Sequence, residues 1–194
     1  MAKNALKPLN SRSWNESNAK HLLSRAGFGV PRERVVQLTK IGLHQSVDAL
    51  INFEKFPHYG EQPSFLIPAG KYRETREIEN EEERRKTRQR IQRAERQSVS
   101  LLKQWWLDRM LNSPRPLEEK MTLFWHGHFA TSAQKVKNSQ TNYHLHSTLR
   151  NHAIGNFKDL TIAVGQTPAM LRYLDNNRNV KQHPNENWAR ELME

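Results

Sequence analysis

The chain contains no cysteine. Disulfides, thiolate metal sites and cysteine nucleophiles are therefore excluded. It also lacks any stretch approaching the roughly 18 consecutive apolar residues that a spanning helix requires. Met1 to Asn10 has no apolar core of the kind found in a cleavable export signal, so the sequence by itself assigns the chain to the cytoplasm by default. Three catalytic signatures are missing: Gly-x-Ser-x-Gly, a phosphate-binding glycine loop and His-Glu-x-x-His. Apolar residues make up only 36% of 194 positions, and the mean hydropathy is −0.90. No strand-like alternation of convincing length and no internal repeat is present. What remains is a polar chain, long enough for one ordinary domain with a core.

Helical periodicity fills most of that length. Ser13-Trp14-Asn15-Glu16 has capping-box spacing, and Ala19, Leu22, Leu23 and Ala26 follow as one apolar stripe. Gly27 and Gly29 end this helix. Pro31 opens a second helix, with Val35, Leu38 and Ile41, closed by Gly42. Leu43, Val47, Leu50 and Ile51 mark a third. Residues 1–53 thus read as an N-terminal helical cluster. Pro57, Pro63 and Pro68 make 54–70 a loop. Residues 71–194 read as one long helix over about 71–111 followed by a helical layer. Within that layer, helices are expected after a Ser113-Pro114 cap through Phe129, over 138–153, after an Asn156 cap through Gly165, over 168–174 and from Asn185. The fold class is all-α: a multi-helix array with one long charged helix. The closing Trp188 to Glu194 reads as the middle of an amphipathic helix, which makes the domain an incomplete, truncated one by expectation. Trp188 and Leu192 at i, i+4, with Met193, are expected to expose apolar surface and drive self-association.

The formal charge is +11. Residues 71–96 hold ten Lys or Arg and seven Glu, with the signs segregated. Glu81–Arg85 and Glu82–Lys86 have i, i+4 spacing, each pair supporting an isolated helix by ~0.2–0.5 kcal/mol. Residues 84–96 carry seven basic residues against one Glu. That face has the charge to track phosphates, although no aromatic residue interleaves with its arginines, which disfavours base stacking. A solvated, protruding helix is the plainer reading.

Two segments offer metal ligands. Asp175, Asn177 and Asn179 occupy positions 1, 3 and 5 of a loop whose position 12 is Glu186. This is the oxygen spacing of a helix–loop–helix Ca²⁺ site. Val180 stands where that loop needs glycine, and Arg178 and Lys181 oppose the two carboxylates. The alternative is that these residues cap helix ends, with Glu186 pairing Arg190. The second segment is Phe124-Trp125-His126-Gly127-His128-Phe129. His126 and His128 suit Zn²⁺ chemically. On a regular helix they point about 200° apart, so sharing an ion requires a break at Gly127. His144, His146 and His152 approach from the following helix. Glu118 and Glu119, by contrast, are accounted for by the helix dipole.

Several motifs carry a resemblance. His21 to Gly29, Trp105 to Leu111, Pro116 to Ser132, Gly155-Asn156-Phe157, Pro168 to Leu171, Tyr173 to Asn176 and, above all, His183-Pro184-Asn185-Glu186-Asn187-Trp188-Ala189-Arg190-Glu191-Leu192-Met193-Glu194 resemble the bacterial domain-of-unknown-function 1800 family. The resemblance spans nearly the whole chain. It implies no reaction, because the family has no established activity. It implies a longer parent protein, since the closing motif of family members continues into Leu-Phe-Thr-Leu-Gly and a second helical half. It also implies a sulfatase-like partner, from gene neighbourhood, and export for many members. The functional expectations are accordingly the front half of a divalent-metal-binding module, a helical scaffold for a partner protein, or a basic nucleic-acid binder.

Overall fold

A computed structural model describes residues 7–194; the first six residues of the N-terminal cluster and of the Met1–Asn10 segment lie outside it. The described residues form ten α-helices and no named strand: α1 (Glu16–Ala26), α2 (Arg32–Ile41), α3 (Leu43–Ile51), α4 (Lys71–Glu74), α5 (Glu81–Asn112), α6 (Pro116–His128), α7 (Ser139–Asn151), α8 (Phe157–Gly165), α9 (Pro168–Tyr173) and α10 (Asn187–Met193). The all-α expectation holds. None of these helices is long and apolar enough to cross a membrane.

Most helix starts follow the sequence signals. Asn138, Asn156 and Thr167 each accept a hydrogen bond from a backbone N–H in the first turn, satisfying donors that have no intrahelical partner. Three boundaries differ. Asn15, not Ser13, caps α1, because Ser11–Ser13 form a separate 3-10 turn. The Pro- and Gly-free segment from residue 71 is two helices rather than one. Thr75 turns its hydroxyl back to the Tyr72 carbonyl, and Asn80 Oδ1 accepts from the Glu83 N–H to start α5 afresh. The last helix begins at Asn187, two residues after Asn185.

The helices sort into two compact units that do not follow chain order. One comprises residues through Gly60 together with Asp108–Lys120. Its core is Ala19, Leu23, Val35 and Leu38, flanked by Trp14 and Ile41. Trp14 Nε1 and Ser46 Oγ both donate to the Leu38 carbonyl. The piece from 108 onward is tied to the residues through Gly60 by hydrogen bonds from two buried arginines, each of which also pairs with a carboxylate of its own segment. Arg109 Nε meets Glu119 Oε1 at 2.9 Å, and a second Arg109 nitrogen donates to the Tyr59 carbonyl. Arg115 donates to the Phe56 carbonyl and faces Glu118 at 3.5 Å. The dipole explanation for Glu118 and Glu119 is therefore corrected: both are buried counter-ions. The compact unit around α1–α3 thus takes in Asp108–Lys120 beside the residues through Gly60.

The other unit comprises Glu61–Leu107 and Met121–Glu194. Phe129, Val136, Leu145, Leu149, Leu160, Val164, Ala169 and Met170 form its core. The second half of the Pro-containing loop is strapped to it by side chains. Ser98 Oγ donates to the Phe65 carbonyl, Asn138 Nδ2 to the Ile67 carbonyl, and the Ile67 N–H donates to Ser139 Oγ. Beneath that strap Glu95 is only 2% exposed. Its carboxylate accepts from Asn138 Nδ2 at 2.6 Å and from the Ser139 N–H at 2.9 Å, at the start of α7, where the helix dipole also favours a negative charge.

Trp188 is not exposed as expected. Its indole stacks on Phe129 at 15° with centroids 6.2 Å apart and covers Gly165, where an added Cβ would stand 2.9 Å from Trp188 Cζ2. The exposed large apolar residues of α10 reduce to Leu192 and Met193, the latter 82% exposed.

Candidate functional site

Tandem tryptophans on a helix diverge by about 100°, so they meet different neighbours. Both of these lie in the second unit. Trp105 packs edge-on against Tyr143 at 5.5 Å and carries the Arg150 guanidinium over its ring at 5.3 Å. Trp106 lies between two histidines: His126 of α6 at 5.0 Å and His146 of α7 at 4.1 Å, the latter edge-on. Arg150 Nη2 approaches His146 Nε2 at 3.4 Å; since arginine only donates, Nε2 accepts.

These rings form one wall of a cavity of about 370 Å³, within the usual range for small-molecule pockets. Val99, Leu102 and Leu145 supply apolar surface. Lys103, Thr131, Ser132, Gln134 and Asn142 supply polar groups, and no carboxylate lines it. The polar wall is fixed locally. Ser132 Oγ accepts from the Gln134 N–H, and Asn142 Nδ2 donates to the carbonyls of Val136 and Asn138. Two features point to chemistry. The Trp106 indole N–H is buried with no hydrogen-bond partner, which costs about 1–3 kcal/mol if nothing satisfies it. Burial also lowers the His126 pKa, so this ring is neutral at neutral pH, with one donor and one acceptor nitrogen.

The sequence-derived metal ligands lie elsewhere or apart. α6 runs unbroken through Gly127 to His128. His126 therefore packs on Trp106, while His128 packs on Trp125, Phe129 and Phe157. In the 175–186 segment, Asp175 takes a left-handed conformation, φ 58°, and its carboxylate receives Lys135 Nζ at 2.7 Å. Asn177 sits in the 3-10 turn Asn176–Arg178. Asn179 Oδ1 accepts from the Asn185 N–H at 3.0 Å. Glu186 flanks α10 without a side-chain cap bond, and Arg190 turns to Asn187 and Glu191 rather than to Glu186. Among the described residues no group of three or more His, Asp or Glu stands where it could hold a metal ion.

Trp106 and His146 were the residues that sequence pattern did not join. Trp106 reads as one more apolar position on a helical stripe, and His146 as one of three histidines on the next helix. The readable signal is the Trp-Trp pair itself, since a single core-facing stripe accommodates only one of two adjacent large rings.

A family model described as "Protein of unknown function (DUF1800)" matches residues 21–194. The chain belongs to this family. The matched span includes Trp106, His126 and His146, the second half of α1 and every helix from α2 onward. No curated protein and no solved structure matches the chain. DUF1800 membership thus names the lineage and no activity, and the functional reading rests on the cavity.

Proposed function

We propose that this DUF1800 chain is a ligand-binding helical module whose Trp106–His126–His146 cavity takes a small organic anion with a planar apolar body. The carrying observation is a cavity walled by the Trp106, His126 and His146 rings that offers donors and one cation but no carboxylate. An anionic oxygen meets Lys103, while a planar body lies against Val99, Leu102 and Leu145 beside the Trp106 ring. A neutral His126 adds a hydrogen bond without a desolvated charge.

The test follows the Trp106 indole N–H signal in the NMR spectrum, assigned by Trp106→Phe, during titration with benzoate. Benzoate is expected to shift that signal and its neutral isostere benzamide to bind about tenfold more weakly, corresponding to loss of a charge-assisted hydrogen bond. Lys103→Gln should remove the preference between the two. An indole signal unmoved by millimolar benzoate, or an unchanged preference in Lys103→Gln, refutes the proposal.

A further inference from the structure

Toward the start of α5 a second cleft, about 560 Å³, shares no lining residue with the Trp106 cavity. Arg84, Arg85, Arg88 and Lys137 line it, with Tyr72 and a single carboxylate, Glu81. Arg84 and Arg88 are one helical turn apart and share a face. The arrangement is anchored: Arg88 Nε donates to Thr75 Oγ1 at 3.2 Å, and Thr75, 1% exposed, donates in turn to the Tyr72 carbonyl.

The acidic residues of the same turn leave this cluster largely uncompensated. Glu82 pairs with Lys86, outside the cleft, at 2.7 Å. Glu81 was expected opposite Arg85; it instead lies 3.9 Å from Arg84, with its side chain 89% exposed. Arg85 and Lys137 have no ion-pair partner among the described residues. Four cations against one solvated carboxylate would repel one another in an empty cleft, and they suit a ligand bearing several negative charges close together. Guanidinium forks match tetrahedral phosphoryl oxygens two at a time.

We propose that this cleft binds a chain of phosphates, supplied either as a free oligophosphate or as the backbone of a nucleic-acid strand. Arg84, Arg85 and Lys137 contact the phosphoryl oxygens, and Arg88, held by Thr75, fixes the register.

Calorimetric titration of the full chain with tripolyphosphate at low salt tests this. Binding is expected, with log K falling linearly as log salt rises. Arg85→Gln should weaken it about tenfold, and Lys137→Gln should weaken it too, without touching the Thr75 anchor. Lys86→Gln, which removes an equal charge outside the cleft, should leave affinity unchanged. Oligothymidylate that displaces tripolyphosphate identifies a nucleic-acid strand as the source; oligothymidylate that does not displace it identifies a free oligophosphate. No heat with tripolyphosphate, or equal losses in Arg85→Gln and Lys86→Gln, overturns the proposal. Trp106→Phe, which tests the other cavity, should leave tripolyphosphate binding intact, so the two readings fail separately.

Discussion

Gly165→Ala is expected to destabilise the protein, against the usual effect of that substitution in a helix. Gly165 ends α8 with no left-handed φ, so its backbone does not require glycine. Alanine there would ordinarily gain about 0.5–1 kcal/mol. The obstacle is the Trp188 indole. A Cβ would lie 2.9 Å from Cζ2 and 3.1 Å from Cε2, and the ring is also held by stacking on Phe129. A rigid indole cannot yield as a flexible chain end would, so α10 must shift. Overpacking of this kind costs about 1–3 kcal/mol, leaving a net loss of roughly 1 kcal/mol at the middle of the two ranges. The decisive measurement is a double-mutant cycle by urea unfolding. In a Trp188→Ala background the obstacle is gone, and Gly165→Ala should become stabilising by about 0.5–1 kcal/mol. A Gly165→Ala protein at least as stable as the parent, or a loss of equal size in both backgrounds, would refute the reasoning.

Four further outcomes are expected. Burial lowers the His126 pKa, so the folded protein binds fewer protons than the unfolded chain once pH drops below about 6.5; stability should fall through that window and level off below the folded pKa, and His126→Gln should flatten the profile of urea midpoint against pH. Glu119→Gln removes the carboxylate that faces the buried Arg109 and should cost about 3–5 kcal/mol by denaturant unfolding; a loss below about 1 kcal/mol, the range of an exposed pair, would show that the pair is hydrated. Millimolar Ca²⁺ should leave the melting temperature unchanged, because Asp175 is taken by Lys135 and Asn179 by the Asn185 N–H; a rise abolished by Asp175→Ala would show that these oxygens turn to the ion. Self-association is expected to depend on Leu192 and Met193, so replacing both with serine should lower the weight-average mass in sedimentation equilibrium, and unchanged association would place the contact elsewhere.

Helix identity was readable because each helix is punctuated locally. Asn138, Asn156, Thr167-Pro168 and Gly42 act within a turn of their own position, and the structure keeps them all. What the sequence hides is pairing at a distance. Arg109 finds Tyr59, and Glu95 finds Asn138, through tertiary placement that no periodic pattern encodes. The break at 75–80 escaped for the opposite reason: the segment has no Pro or Gly, and two small polar side chains, Thr75 and Asn80, do the work through backbone hydrogen bonds. The site was legible in part. His126 and His146 are visible as histidines in the sequence, but the ring that joins them, Trp106, reads as core until both neighbours are placed on it.

The interleaving of the first unit sets a clock on synthesis. Residues through Gly60 leave the ribosome without Arg109, Arg115, Glu118 and Glu119, the side chains that hold the Phe56 and Tyr59 carbonyls and the ion pairs around them. At about 5–20 residues per second, the sixty residues up to Lys120 take roughly 3–12 s to follow. During that interval α1–α3 have only their own small core of Ala19, Leu23, Val35 and Leu38. A nascent chain stalled with Gly60 just clear of the exit tunnel should therefore remain open to protease, and one stalled far enough past Lys120 for that residue to clear it should become resistant. For the same reason, no single cut in the Pro-containing loop divides this protein into two pieces that each hold all the contacts of their unit.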